Sequence, residues 1–347
     1  ISNDNSELKF VLSNTNVSIA NSIRRTILSD IPVIVFNTSL NSDASNRSVV
    51  NIIENTSMFN NEIIKQRLGC IPIHITNYNE YPYKNYLLEI NVENTSESPI
   101  YVTTGDFKIK DTINDVYIKE SDLKNIFPIN AITGDYIEFL RLKPKISPEL
   151  KGEKIHLTSE FAISTAKEDG MFNTVSNCTY MCTIDQVAQK TALNKQKQVW
   201  KDEGKSSADI EFESTNWKLL DGQRIIKKDS FDFTIESIGV YNNMEIVNIA
   251  CEILKKKLDM IEKLLDTDSL DIKSSETTIK NCFDIILENE DYTIGKLLEF
   301  YLYNKFYNGG ILTYCGFKKM HPHDTFSIIR LGYKELVTVS TIKNHIK

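Results

Sequence analysis

Several features common in functional proteins are missing from this 347-residue sequence, and each absence removes a class of function. No run of about 18 uncharged apolar residues occurs, so no membrane-spanning helix is expected. Lys and Arg together number 40 against 47 Asp and Glu, a net charge of −7. Duplex-binding proteins draw most of their affinity from phosphate neutralisation, so little direct DNA contact is expected. The six cysteines, at 70, 178, 182, 251, 282 and 315, are scattered and form no Cys-x-x-Cys pair. They read as reduced thiols of an intracellular protein, and the first residues, Ile1-Ser2-Asn3-Asp4, carry neither region of a secretory signal. There is no glycine-rich phosphate loop and no Gly-x-Ser-x-Gly elbow, and the Asp266/Asp268 pair sits in a polar stretch. Two-metal nucleotidyl transfer needs carboxylates holding ions about 3.5–4 Å apart, so no catalytic residue, cofactor or enzymatic activity is assigned to the chain itself.

What is present is an internal repeat at an offset of 275 residues. Leu12 to Ile27 aligns without gaps on Leu287 to Leu302, pairing Asn14 with Asn289, Asn16 with Asp291, Ser18 with Thr293 and Ile19 with Ile294. Each copy opens with strand-like alternation (Leu8, Phe10, Leu12; Phe283, Ile285, Leu287) and turns through polar residues. Ser18 and Thr293 stand where helix N-caps are expected. The helices that follow are amphipathic, through Ile19, Ala20, Ile23 and Ile27 in one and Ile294, Leu297, Leu298, Tyr301 and Leu302 in the other. Two similar halves point to a pseudo-symmetric pair packed helix on helix.

Phe231 to Ile238 reads as a strand leading into a long helix from about Asn242 to Leu265, whose seam holds Val247, Ala250, Cys251, Leu254, Leu258, Ile261 and Leu265. Thr313–Phe317 and Thr325–Leu331 read as a hairpin around His321-Pro322-His323-Asp324, followed by a helical segment within Lys334–Lys347. Strand candidates at 86–92, 100–110, 136–143 and 154–165 suggest a mainly β insert. Asp266 to Ser275 has a linker's composition, and the lysine-rich stretch 189–207 reads as a surface loop.

Two segments carry a family resemblance. Val17-Ser-Ile-Ala-Asn-Ser-Ile-Arg-Arg-Thr-Ile-Leu-Ser-Asp-Ile-Pro32 resembles the first helix of the alpha-like assembly subunits of multisubunit DNA-directed RNA polymerases. Asn55-Thr-Ser-Met-Phe-Asn-Asn-Glu-Ile-Ile-Lys-Gln-Arg-Leu-Gly-Cys-Ile-Pro72 resembles that family's second signature. Tyr292-Thr-Ile-Gly-Lys-Leu-Leu298, with Cys315-Gly-Phe317 and His321-Pro-His323, resembles the small pairing partner. Both in one chain resembles the fused subunits of large nucleocytoplasmic DNA viruses. The resemblance implies an assembly platform in viral transcription that binds the largest, second-largest and small polymerase subunits, located in the virion and host cytoplasm, or alternatively the nucleus. Some relatives hold zinc or an iron–sulfur module in the insert. Here the insert has only Cys70, and a structural zinc needs about four N or S ligands, so no metal is expected.

The expected fold is α+β: two related alpha-subunit-type dimerisation units, of antiparallel strands and long helices, in one chain, the first interrupted by a mainly β insert. The boundaries are 1–42 with 178–266, an insert at 43–177, a linker at 267–280 and a second unit at 281–347. Ile19, Ile23, Ile27, Leu254, Leu258, Ile261, Ile294, Leu298 and Leu302 are the expected pairing interface. The resemblance assigns Arg24 and Arg25 to the second-largest subunit, where the planar guanidinium suits carboxylates and carbonyls, although both lie off the apolar stripe like ordinary solvated arginines. Glu62, Lys65 and Arg67 are further partner candidates, against an i,i+3 surface pair between Glu62 and Lys65. Cys178 and Cys182 read as one face of a strand, and Cys315, His321 and His323 as structural. The competing function is a nucleic-acid accessory module using lysines 190–205.

Overall fold

A computed structural model of the chain describes residues 2–3, 7–39, 46–147, 149 and 151–347. The fold is α+β, with antiparallel sheets and eight α-helices among the described residues. The chain divides into two compact bodies: residues 1–26, 177–236 and 251–347 form the first, and 27–176 and 237–250 the second. The expected boundary between 42 and 43 lies outside the described residues, and the second body starts at residue 27.

The first body holds two four-stranded sheets of matching order. One is β1 (Ser2–Asn3), β2 (Glu7–Ser13), β13 (Ile226–Ser237) and β12 (Val175–Ile184), in the order β1-β2-β13-β12. The other is β14 (Ile272–Ser274), β15 (Cys282–Glu288), β17 (Phe326–Tyr333) and β16 (Leu312–Lys318), in the order β14-β15-β17-β16. In each, the second strand runs into a repeat helix: β2 into α1 (Val17–Ser29), β15 into α7 (Tyr292–Leu302). In each, the third strand leads to a closing helix, α6 (Asn243–Asp266) after β13 and α8 (Val339–Ile346) after β17.

Two expectations fail here. Residues 189–207 are not a loop: α4 (Gln186–Asp202) fills most of that stretch and packs with α5 (Ser207–Leu219). Asp185 accepts the amides of Val187 and Ala188 as the α4 cap, and Leu193 and Trp200 are buried. Nor is 267–280 a free tether. Leu270 is buried, and β14 pairs with β15 through Ile272↔Ile285, because two apolar residues in a polar stretch suffice to add an edge strand.

In the second body, β4 (Val50–Asn55), β5 (Tyr86–Glu93), β7 (Lys108–Asp111), β8 (Val116–Tyr117) and β10 (Lys154–Glu160) form a sheet ordered β4-β10-β5-β7-β8. Two smaller pairs join β3 (Val33–Val35) to β11 (Ala162–Ser164) and β6 (Ile100–Thr103) to β9 (Glu138–Leu142). With α2 (Asn61–Gly69) and α3 (Glu120–Ile126) they enclose a core of Ile64, Leu68, Leu88, Ile90, Phe107, Phe139 and Leu157. The single strand expected over 100–110 is broken. Thr103 and Asp106 form a reciprocal capping box that winds Thr104–Asp106 into a 3-10 turn, so β6 and β7 join different sheets.

Candidate helix-pairing site

The repeat is visible in backbone geometry. Asn14 and Asn289 both adopt the left-handed conformation, with φ of 57° and 58°, which asparagine tolerates better than most residues. That turn starts each helix earlier than expected, so the caps are not Ser18 and Thr293. The Asn16 side chain accepts the Ile19 amide at 3.0 Å, and Asp291 accepts the Thr293 amide at 2.8 Å. A small residue follows at matching positions. Ala20 packs among Phe231 and Phe233, with Phe10 and Tyr180 beside them. A Cβ on Gly295 would come within 2.0 Å of the Phe317 ring. Each helix thus crosses an aromatic tier of its own sheet, and a large side chain there would hold it off.

Within the first body the helices share one apolar cluster. Leu254, Ile261 and Leu265 of α6 lie in it with Ile294 and Leu302 of α7, while Ile23, Leu258 and Leu298 pack against its edge. The expected seam of α6 shifts in phase near its start: Ile246 and Ala250 are buried, whereas Cys251 is exposed. Ile27 is buried, in the part of α1 that belongs to the second body, and Ile19 is half-buried.

Polar contacts lock the two repeat helices together. Buried Ser22 donates its hydroxyl to the Thr293 carbonyl at 2.8 Å. Arg25 donates from Nε to Thr293 Oγ1 at 2.9 Å and from Nη2 to Asp291 Oδ2 at 2.8 Å. A guanidinium beside a helix N-terminus opposes the helix dipole. The Asp291 carboxylate lies between them and serves as both cap and counter-ion. Lys257 of α6 reaches Glu290 at 3.6 Å, tying the same turn to the long helix.

Arg24 hydrogen-bonds Asn21 Oδ1 through Nε and Nη2 at 3.1 and 3.0 Å. Burial pushes the nearby Cys178 thiol up to about 12, with Arg24 pulling in the opposite direction. Arg67 donates to the Phe139 and Glu138 carbonyls and lies 5.5 Å from the Phe59 ring centroid. Glu62 is exposed on α2, and no Glu62–Lys65 ion pair is present among the described residues. His321 and His323 lie in the turn between β16 and β17, where the His321 amide donates to Asp324. No cluster of three or more His, Cys, Asp or Glu side chains suited to a metal ion occurs among the described residues. Sequence reasoning misses Ser22, Asp291 and Lys257 as pairing residues. The one available signal is that Asp291 is charged where its repeat mate Asn16 is neutral.

Residues 9–258 match the family described as the RNA polymerase Rpb3/Rpb11 dimerisation domain. A protein of Dictyostelium discoideum, DNA-directed RNA polymerase II subunit rpb3, is 23% identical over 290 residues, covering 74% of this chain and 91% of its own. DNA-directed RNA polymerase subunit Rpo3 of Archaeoglobus fulgidus is 23% identical over 286 residues, 75% of this chain and 94% of its own. A conjugation stage-specific protein of Tetrahymena thermophila is 22% identical over 303 residues, 75% and 92% respectively.

Proposed function

This chain belongs to the family of the RNA polymerase Rpb3/Rpb11 dimerisation domain, and we propose from that premise that it is a noncatalytic assembly subunit of a DNA-directed RNA polymerase. In this reading its two ends replace two separate pairing subunits. They form an intramolecular pseudo-heterodimer, on which the largest and second-largest subunits and small subunits assemble. The observation that carries the reading is the shared cluster of α1, α6 and α7, closed by Arg25 on Asp291 and Thr293. The matching strand orders of the two sheets support it further.

A single chain has a physical advantage over two. A short connection holds the halves at an effective concentration on the order of millimolar, so pairing precedes any encounter with the large subunits. We assign the chain to the transcription apparatus of a large nucleocytoplasmic DNA virus, acting in the virion and host cytoplasm. Arg24, Arg25, Glu62, Lys65 and Arg67 carry the proposed contacts with the large subunits, Arg24 and Arg25 with the second-largest. Arg24, Arg25 and Arg67 also hydrogen-bond within the chain.

Co-expression of residues 1–268 and 269–347 as separate chains tests the pairing, since the cut leaves β14 with its own sheet. The expected result is one stable complex that captures both large polymerase subunits. Two soluble pieces that do not associate would sink the pseudo-dimer. Paired halves that capture neither large subunit would sink the assembly role.

A further inference from the structure

The second body contains a groove that pairing and assembly, as described above, do not use. On one side, β5 is matched by β10 along its length, from Leu87↔Glu160 to Glu93↔Lys154. On the other, β7 pairs only with Tyr86–Glu89 and stops at Lys108. The capping box at Thr103 and Asp106 is the cause, because it turns the chain away where the ladder would have continued. Among the described residues, Ile90–Glu93 therefore have no strand on that side.

The direction of the free backbone groups follows from the ladder. The Asn94 amide donates to Glu153 on the β10 side, and the Asn85 carbonyl accepts Thr112 on the β7 side. Backbone groups alternate along a strand, so Asn91 and Glu93 direct their N–H and C=O toward the vacant side. That side is a groove of about 710 Å³ lined by Asn91, Val92 and Glu93 of β5, the 3-10 turn, Phe107–Ile109, Tyr117, Ile118 and α3. Its apolar lining includes Val92, Phe107, Ile118 and Leu123. Its charged lining is Glu93, Asp106 and Glu120 against Lys108 alone. Glu120 is already paired with Lys124 at 2.8 Å, and Asp106 is held in the capping box. Glu93 is exposed; its cross-strand mate Lys154 on β10 acts on it electrostatically but is held in a closer ion pair by Glu54 at 2.8 Å, and no ion pair of Glu93 itself occurs among the described residues.

We propose that this groove takes an extended segment of a partner protein as an added strand beside β5, with the alternation basic–apolar–basic. Two partner residues two apart exchange backbone hydrogen bonds with Asn91 and Glu93. Their side chains share the face of Glu93, where a cation is favoured. The residue between them points to the opposite face, over Val92. Backbone pairing supplies affinity, and the alternation of charge and apolarity supplies selection.

The probe is a fluorescein-labelled decapeptide of alternating Lys and Val, titrated into the full chain alone, so the outcome is separable from polymerase assembly. Saturable binding is expected, weakened roughly tenfold by Glu93→Lys. A peptide N-methylated at alternate amides, which keeps charge and composition but loses donors, should bind far more weakly. Amide hydrogen exchange at Asn91 and Glu93 should slow on binding. Equal binding of the N-methylated peptide would reduce the interaction to general attraction between a basic peptide and an acidic protein, and would overturn the proposal. Unchanged exchange at those two amides would overturn it equally. So would self-association of the peptide-free chain that protects the same amides, since the occupant would then be a second copy.

Discussion

Arg25 reaches Asp291 across 266 residues of sequence, Nη2 to Oδ2 at 2.8 Å, and the same carboxylate caps the helix that Arg25 packs against. The repeat mate of Asp291 is Asn16, which caps α1 without a charge. Asp291→Asn should therefore keep the cap and lose the ion pair, whereas Asp291→Ala loses both. Both side chains are about one-third exposed or less (34% and 27%), so solvent screening limits the pair to about 1 kcal/mol. Arg25→Ala and Asp291→Asn should each lower stability by about that much, with most of it recovered as coupling in a double-mutant cycle read by urea denaturation. Additive effects would mean that the contact contributes nothing. Asp291→Ala should cost about 1 kcal/mol more for the lost cap.

Gly295 is constrained by contact with Phe317. A Cβ there would lie 2.0 and 2.2 Å from two ring carbons, well inside van der Waals contact. Gly295→Ala should destabilise by about 2 kcal/mol despite alanine's better helix propensity. Phe317→Leu should recover part of that loss when combined with Gly295→Ala, while being destabilising alone. A melting temperature raised by Gly295→Ala would show that propensity outweighs the clash.

The repeat, the long helix and the C-terminal hairpin can be read from the sequence because each rests on local periodicity. Leu8, Phe10 and Leu12 alternate, and Leu254, Leu258, Ile261 and Leu265 recur at helical spacing. The caps at Asn16 and Asp291 stand two residues before their expected places because they depend on the left-handed turn at Asn14 and Asn289, a backbone state that composition does not encode. α4 reads as a loop because its buried residues are few, Leu193 and Trp200, and its stability rests on Asp185 and on packing with α5. Arg25 reads as outward-facing for a different reason. Helical phase locates a residue relative to its own stripe, not relative to a helix 266 residues away.

The α4–α5 excursion should be removable. Its two ends meet where the Asp185 amide donates to the Ile225 carbonyl at 3.0 Å. Its buried apolar side chains, Leu193 and Trp200, join none of the apolar clusters around α1, α6, α7 and the second-body core among the described residues. In the second sheet the equivalent connection, between β16 and β17, is only a turn. Replacing Gln186–Arg224 with Asn-Gly, a dipeptide suited to a two-residue hairpin, should leave a folded protein with less helical circular dichroism. Its melting temperature should shift by less than about 5 °C. An aggregated or non-cooperative variant would show that the excursion supports the β12–β13 edge.

The docking of α8 should weaken in mild acid through His345. Its ring stacks on Phe306 with centroids 4.2 Å apart, and its Nδ1 lies 3.2 Å from the Tyr333 hydroxyl. Burial holds its pKa below the ordinary 6.5, and the nearby Lys305 ammonium lowers it further. The folded state thus favours the neutral ring. The stabilisation is complete above the unfolded-state pKa and is lost as pH falls from there through the lower folded-state value. His74, in the second body, shifts the same way: burial lowers its pKa, partly offset by a hydrogen bond with the Gly239 backbone. His345→Phe keeps an aromatic ring against Phe306 and removes one of the two titrations. Comparing urea midpoints at about pH 7.5 and about pH 5.5, the wild type should lose more stability on acidification than the variant, and the residual loss should shrink further with His74→Phe. An unchanged pH dependence in His345→Phe would mean that α8 tolerates the imidazolium, with Tyr333 or water solvating the charge that burial was expected to exclude.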